Sequence, residues 1–177
     1  MAVASLALFG FIALFGCQLK PTLITEESVN QHYKDVVLVD TRGAFEFAGF
    51  HFSGSVSLNS EDFLILKNPK SKKRILDPDI SQIIERLARR GLSPQKALIL
   101  ISNKKDSLEN KKWNWLLRQL EIENIVLMGF DEYRALNKNR VPQAPPASMQ
   151  VWKLRTVEVL LKKADQCFVN WSNEGCH

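Results

Sequence analysis

The sequence predicts an α/β domain: a central parallel sheet flanked by helices on both faces, followed by a C-terminal helix and tail. Two observations predict it. Continuous apolar runs recur at Val36–Asp40, Leu98–Ile101 and Ile125–Met128, as strands covered on both faces require. Stretches with helical i, i+3, i+4 spacing separate them, and alternating strands and helices favour a parallel sheet. The 177 residues suffice for one domain with a hydrophobic core, and 45% hydrophobic and 24% charged residues are ordinary for a globular chain.

The elements follow in chain order. Residues 1–16, MAVASLALFGFIALFG, carry no charged side chain. The run is short for a spanning helix, which takes about 20 apolar residues. It suits the apolar region of an export signal. Thr25 can cap a short helix running to about Lys34, with acidic residues in its first turn. VVLVD, Val36–Asp40, is the first strand, and Val56–Leu58 a shorter second one. Asp77-Pro78 opens a helix as cap and first residue. Ile80, Ile83, Ile84, Leu87 and Ala88 make its core stripe, and Gly91 stops it.

Leu98–Ile101 is the next strand. A helix from Leu108 to Leu120 presents Trp113, Leu116, Leu117 and Leu120. Ile125–Met128 is a further strand and Phe130–Leu136 a further helix. Val141–Met149, VPQAPPASM, holds three prolines and reads as a stiff connector. Val151–Ala164 is the last predicted helix, with Val151, Leu154, Val157 and Leu161 on one face. That face is expected to pack back on the domain; docking on a partner or lying on a membrane surface is the alternative. The organisation is thus a signal at 1–16, a tether at 17–24, a domain at 25–140, a connector at 141–149, and a C-terminal helix with a cysteine-containing tail at 150–177.

Leu14-Phe15-Gly16-Cys17 resembles the lipobox of bacterial lipoproteins. The resemblance implies cleavage before Cys17 and lipidation of its sulfur. An uncleaved membrane anchor is the other reading. Both place the domain in the bacterial envelope, membrane-attached and facing the periplasm or exterior. Two cysteines then remain, Cys167 and Cys176. In an oxidising compartment such a pair reads as a disulfide. Closing a loop of about ten residues stabilises by roughly 2.5–3 kcal/mol in the chain-entropy model. A redox-active pair is the alternative, although the spacing is wider than C-x-x-C. A metal site with His177 lacks a fourth ligand, so no metal and no cofactor are expected.

The formal net charge is +5, with clusters at Lys67–Arg74, Lys104–Lys105, Lys111–Lys112 and Lys138–Arg140. No stacking aromatics or recognised motif accompany them, so nucleic acid is not an expected partner. They read as solvated faces, with weak attraction to anionic lipid as the alternative.

VLVDTRGAFEFAGFHFSGSVSLN carries the chief resemblance. Asp40, Arg42, Glu46, Phe47, His51 and Gly54 follow, in register, the first block of the rhodanese family, D-V-R-x-x-x-E-[YF] and then G-H-I-P-G-A. Phe50, Ser53 and Ser55 depart from it. Downstream, the helix with Trp113 and Trp115, the strand Ile125–Met128, and Gly129-Phe130 resemble the second half of such a domain. The similarity covers about residues 22–140. It implies a framework role for Asp40, Arg42, Glu46, His51 and Gly54. An Asp–Arg pair at a strand end can fix the following loop.

The resemblance also implies a cysteine after the strand ALILI, which would take a sulfane sulfur as a persulfide. Here that position is Ser102 or Asn103. An unactivated serine hydroxyl is barely ionised near neutral pH, and SNKKDSLEN supplies no adjacent base. A rhodanese-like phosphatase would need a cysteine and an arginine that Ser102–Asn110 lacks. The loop residues Ser102, Asn103, Lys104, Lys105, Asp106 and Ser107 are candidates to hold a small anion without reacting with it; a plain connector is the other reading. The expectation is a catalytically inactive, membrane-tethered module binding a protein or a small anion. The alternative is a thiosulfate sulfurtransferase or thiol redox enzyme using Cys167 and Cys176.

Overall fold

The computed structural model describes residues 36–137, 151–154, 157–172 and 174–176. The signal, Cys17, the tether, the Thr25–Lys34 helix, the Val141–Met149 connector and His177 lie outside the described residues.

The chain forms β1 (Val36–Asp40), α1 (Ala44–Gly49), β2 (Val56–Ser57), a 3-10 turn (Ser60–Phe63), β3 (Leu64–Leu66), β4 (Arg74–Leu76), α2 (Ile80–Arg89), β5 (Ala97–Ser102), α3 (Leu108–Gln119), β6 (Ile125–Gly129), α4 (Phe130–Leu136) and α5 (Glu158–Ala164). A π turn, Asp165–Val169, continues α5. Four strands pair in parallel in the order β2-β1-β5-β6.

Side chains alternate across this sheet because successive Cβ atoms point to opposite faces. Val37, Val39, Leu98 and Leu100 join the larger cluster, under α2, α3 and α5. Leu38, Ile99 and Ile101 join the smaller one with Met128 and Tyr133, on the side of α4. The apolar runs were continuous because both faces are covered. The predicted α2 stripe is buried at all five positions, and Gly91, at φ 83°, ends the turn after it. Among the described residues, no helix is long and apolar enough to cross a membrane.

Two expectations need correction, and one hairpin adds to them. Asp79, not Asp77, caps α2, accepting from Gln82 N at 3.2 Å. Asp77 Oδ1 instead accepts from Asp79 N at 3.0 Å, so the carboxylate turns the chain around Pro78 before the helix begins. The basic stretch Lys67–Arg74 is largely exposed, as the solvated reading expects, and the two short strands that meet through it are the new element. The stretch closes an antiparallel hairpin, with Leu64 opposite Leu76 and Lys67 N donating to Lys73 O.

The last helix is also shorter than expected. Residues 151–154 are not helical, because Trp152 Nε1 donates to Leu120 O at 2.9 Å and holds that segment against the end of α3. Leu154 and Val157 pack on the core as expected, but Val151 and Leu161 are exposed. Leu160 and Ala164 are buried in their place. The extension packs back on the domain, and Phe168 meets Trp113 edge-on at 5.2 Å.

Candidate functional site

The carboxyl ends of β1, β5 and β6 lie side by side, with Asp40 opposite Ile101 and Ser102 opposite Gly129. Ligands of open α/β sheets bind at this edge. Asp40 and Arg42 form its base. Arg42 Nε and Nη2 donate to the two Asp40 carboxylate oxygens at 3.0 and 2.7 Å. Arg42 Nη2 also donates to Phe50 O at 2.7 Å. The guanidinium carbon lies 3.9 Å from the Phe130 ring centroid. Both charged residues are buried, so the pair stands because its hydrogen bonds are made and not through Coulomb attraction alone.

Glu46 links this base to the loop. Its Oε2 accepts from Gly43 N at 3.1 Å and caps α1, while Oε1 accepts from Asn103 Nδ2 at 2.7 Å. The Asn103 amide chiefly holds the Glu46 carboxyl below its ordinary value; partial desolvation opposes this, and Gly43 N–H and Arg42 add to it. His51 is exposed, stacks on Phe47 at 4.3 Å, and has Nδ1 3.0 Å from Phe47 O. Gly54 adopts φ 78°, a conformation that favours glycine, in the turn entering β2.

Ser102 is the final residue of β5, with its side chain buried. Asn103, Lys104, Lys105 and Asp106 are exposed. The loop turns back through Ser107 N donating to Lys104 O at 3.1 Å, and Ser107 then caps α3 by accepting from Asn110 N. Among the described residues, the amides of 103–106 have no acceptor. The exposed rings of Phe45 and Phe50 lie on or just past α1, the element that Glu46 ties to this loop.

Sequence reasoning missed Asn110. It is fully buried. Its Oδ1 accepts from the Thr41 hydroxyl at 2.8 Å. Its Nδ2 donates to Lys105 O at 3.0 Å and sits 3.5 and 3.4 Å from Leu100 O and Met128 O. One amide therefore joins the end of β1, the strands β5 and β6, and the loop. The signal was present: Asn110 stands three and seven residues before Trp113 and Leu117, a polar residue on an apolar stripe.

A family model for the rhodanese-like domain matches residues 25–138. The chain belongs to the rhodanese-like domain family. No curated protein matches it. Of the block Asp40, Arg42 and Glu46, Glu46 bonds the loop after β5 through Asn103, and the Asp40–Arg42 pair stands at the end of the adjoining β1. Cys167 and Cys176 are not at this edge. They are joined as a disulfide, inside the cluster with Trp113, Trp115 and Phe168. Among the described residues, no group of three or more His, Cys, Asp or Glu is placed to hold a metal.

Proposed function

We propose that this protein is a catalytically inactive rhodanese-like module, tethered to a membrane of the bacterial envelope through Cys17, that binds a protein partner or a small anion at the loop after β5. One observation carries the reading. The only cysteines are Cys17, Cys167 and Cys176, so the strand that leads into a persulfide loop in active relatives ends here in Ser102-Asn103. Asn103 is bonded to Glu46 and Ser102 is buried, and neither can hold a transferable sulfur. Lys104 and Lys105 on the loop and Phe45 and Phe50 on or just past α1, which Glu46 bonds to that loop, are all exposed, and this supports binding without chemistry.

The test is sulfur transfer from thiosulfate to cyanide by the purified protein, with intact mass read after thiosulfate loading. The expected result is a background rate and no gain of a sulfur atom. A sulfur adduct and a rate that both disappear in Cys167→Ser/Cys176→Ser would establish the alternative enzyme. Tethering is checked separately: Cys17→Ala should abolish acyl labelling and release the protein from the membrane fraction.

A further inference from the structure

Outside the family match, the C-terminal segment builds a groove on α3. Lys111, Asn114, Trp115, Arg118 and Gln119 line it, together with Trp171 and Cys176. The spacing i, i+3, i+4, i+7, i+8 sets the five α3 residues on one stripe. The groove holds about 450 Å³, within the range of small-molecule sites.

Its chemistry is two-sided. Trp171, with the edges of the nearly buried Trp115 and Cys176, supplies apolar wall. Lys111 and Arg118 supply two positive charges two helical turns apart. Among the described residues neither is in an ion pair: Lys112 is the lysine that meets Glu109, at 3.6 Å, and Arg118 Nε donates to Asn114 Oδ1 at 3.2 Å. No carboxylate lines the groove among the described residues.

We propose that this groove binds a small aromatic anion, an aryl carboxylate or aryl sulfonate, with the acid group between Lys111 and Arg118 and the ring against the tryptophans. An inorganic anion would leave the indole walls unused, and a neutral aromatic would leave two like charges uncompensated. The disulfide is part of the site. Trp171 lies between Cys167 and Cys176, so the Cys167–Cys176 bond holds the wall it lines. The groove contains none of the residues 102–107, so its fate is independent of the proposal for that loop.

The test is titration of the full-length protein with 1-anilinonaphthalene-8-sulfonate, followed by fluorescence, with inorganic sulfate and neutral N-phenyl-1-naphthylamine as controls. Saturable one-to-one binding is expected, preferred over both controls. Arg118→Glu, at an exposed position, should weaken it by about tenfold or more while the urea midpoint stays at the wild-type value. Lys72→Glu, on the hairpin and outside the groove's lining, should leave it unchanged. Cys167→Ser/Cys176→Ser should weaken binding with α/β circular dichroism retained. Equal binding by wild type and Arg118→Glu, non-saturable uptake, or equal affinity for the neutral amine would overturn the proposal.

Discussion

Asn110 carries more of the site's geometry than any charged residue of the family block. Truncating it leaves the buried Thr41 hydroxyl and the part-buried Lys105 carbonyl without this partner. Asn110→Ala should therefore cost about 1–3 kcal/mol, read as a lower urea midpoint at unchanged m. Glu46 sets a pH dependence. Its folded pKa is depressed, first by the Asn103 hydrogen bond, so its contribution is complete above the ordinary carboxyl value of 4.5 and is lost as pH falls through the lower folded value. Glu46→Gln keeps an acceptor for Asn103 but cannot titrate. It should flatten the acid limb of midpoint against pH below about 4.5. An unchanged limb would show that Glu46 and Asn103 part in solution. The family residues were legible through their resemblance to the family's first block. Their partners were not, because Phe50 O, Asn103 and the Phe130 ring reach Arg42 and Glu46 only after the chain has folded back.

Among the elements, the extension bears most directly on stability. α5 and the π turn place Leu160, Ala164, Cys167 and Phe168 in the main core. Lys73 Nζ meets Asp165 Oδ2 at 2.7 Å and ties the hairpin to the same segment. That pair is half-exposed and worth little, so burial and the disulfide do most of the holding. Cys167→Ser/Cys176→Ser should lower unfolding free energy by about 2.5–3 kcal/mol from chain entropy. A loss near zero in chemical denaturation would show that packing alone seats the tail. Helical periodicity named α2 and α3 well because their stripes face one continuous core. It failed at 151–154, where the Trp152 bond to Leu120 O holds the segment against α3 out of helical conformation.

For the whole molecule, the match at residues 25–138 and the extension share one hydrophobic core. Trp113 shows how: Phe63 meets its ring at 5.0 Å from the family domain, and Phe168 at 5.2 Å from the extension. Cooperative unfolding of the two parts together is the expected consequence. All four tryptophans lie on α3 or in the extension, at positions 113, 115, 152 and 171. Their fluorescence therefore reports the joint, while far-ultraviolet circular dichroism reports the whole fold. The two midpoints should coincide in urea; an earlier fluorescence transition would mean that the extension undocks first.

The amino-acid sequence by itself determined the parallel α/β architecture, since a strand buried on both faces must be apolar throughout, and it shows that the loop after β5 carries no cysteine. It also marked Cys167 and Cys176 as partners through their number and spacing. Tertiary structure alone decided what holds the loop, because Asn110 collects groups from β1, β5, β6 and the loop that are distant along the chain. It alone decided which face of α5 is buried and that Lys111, Arg118, Trp115 and Trp171 border one cavity. Local pattern fixes which side chains an element can present; what they meet depends on how the elements pack.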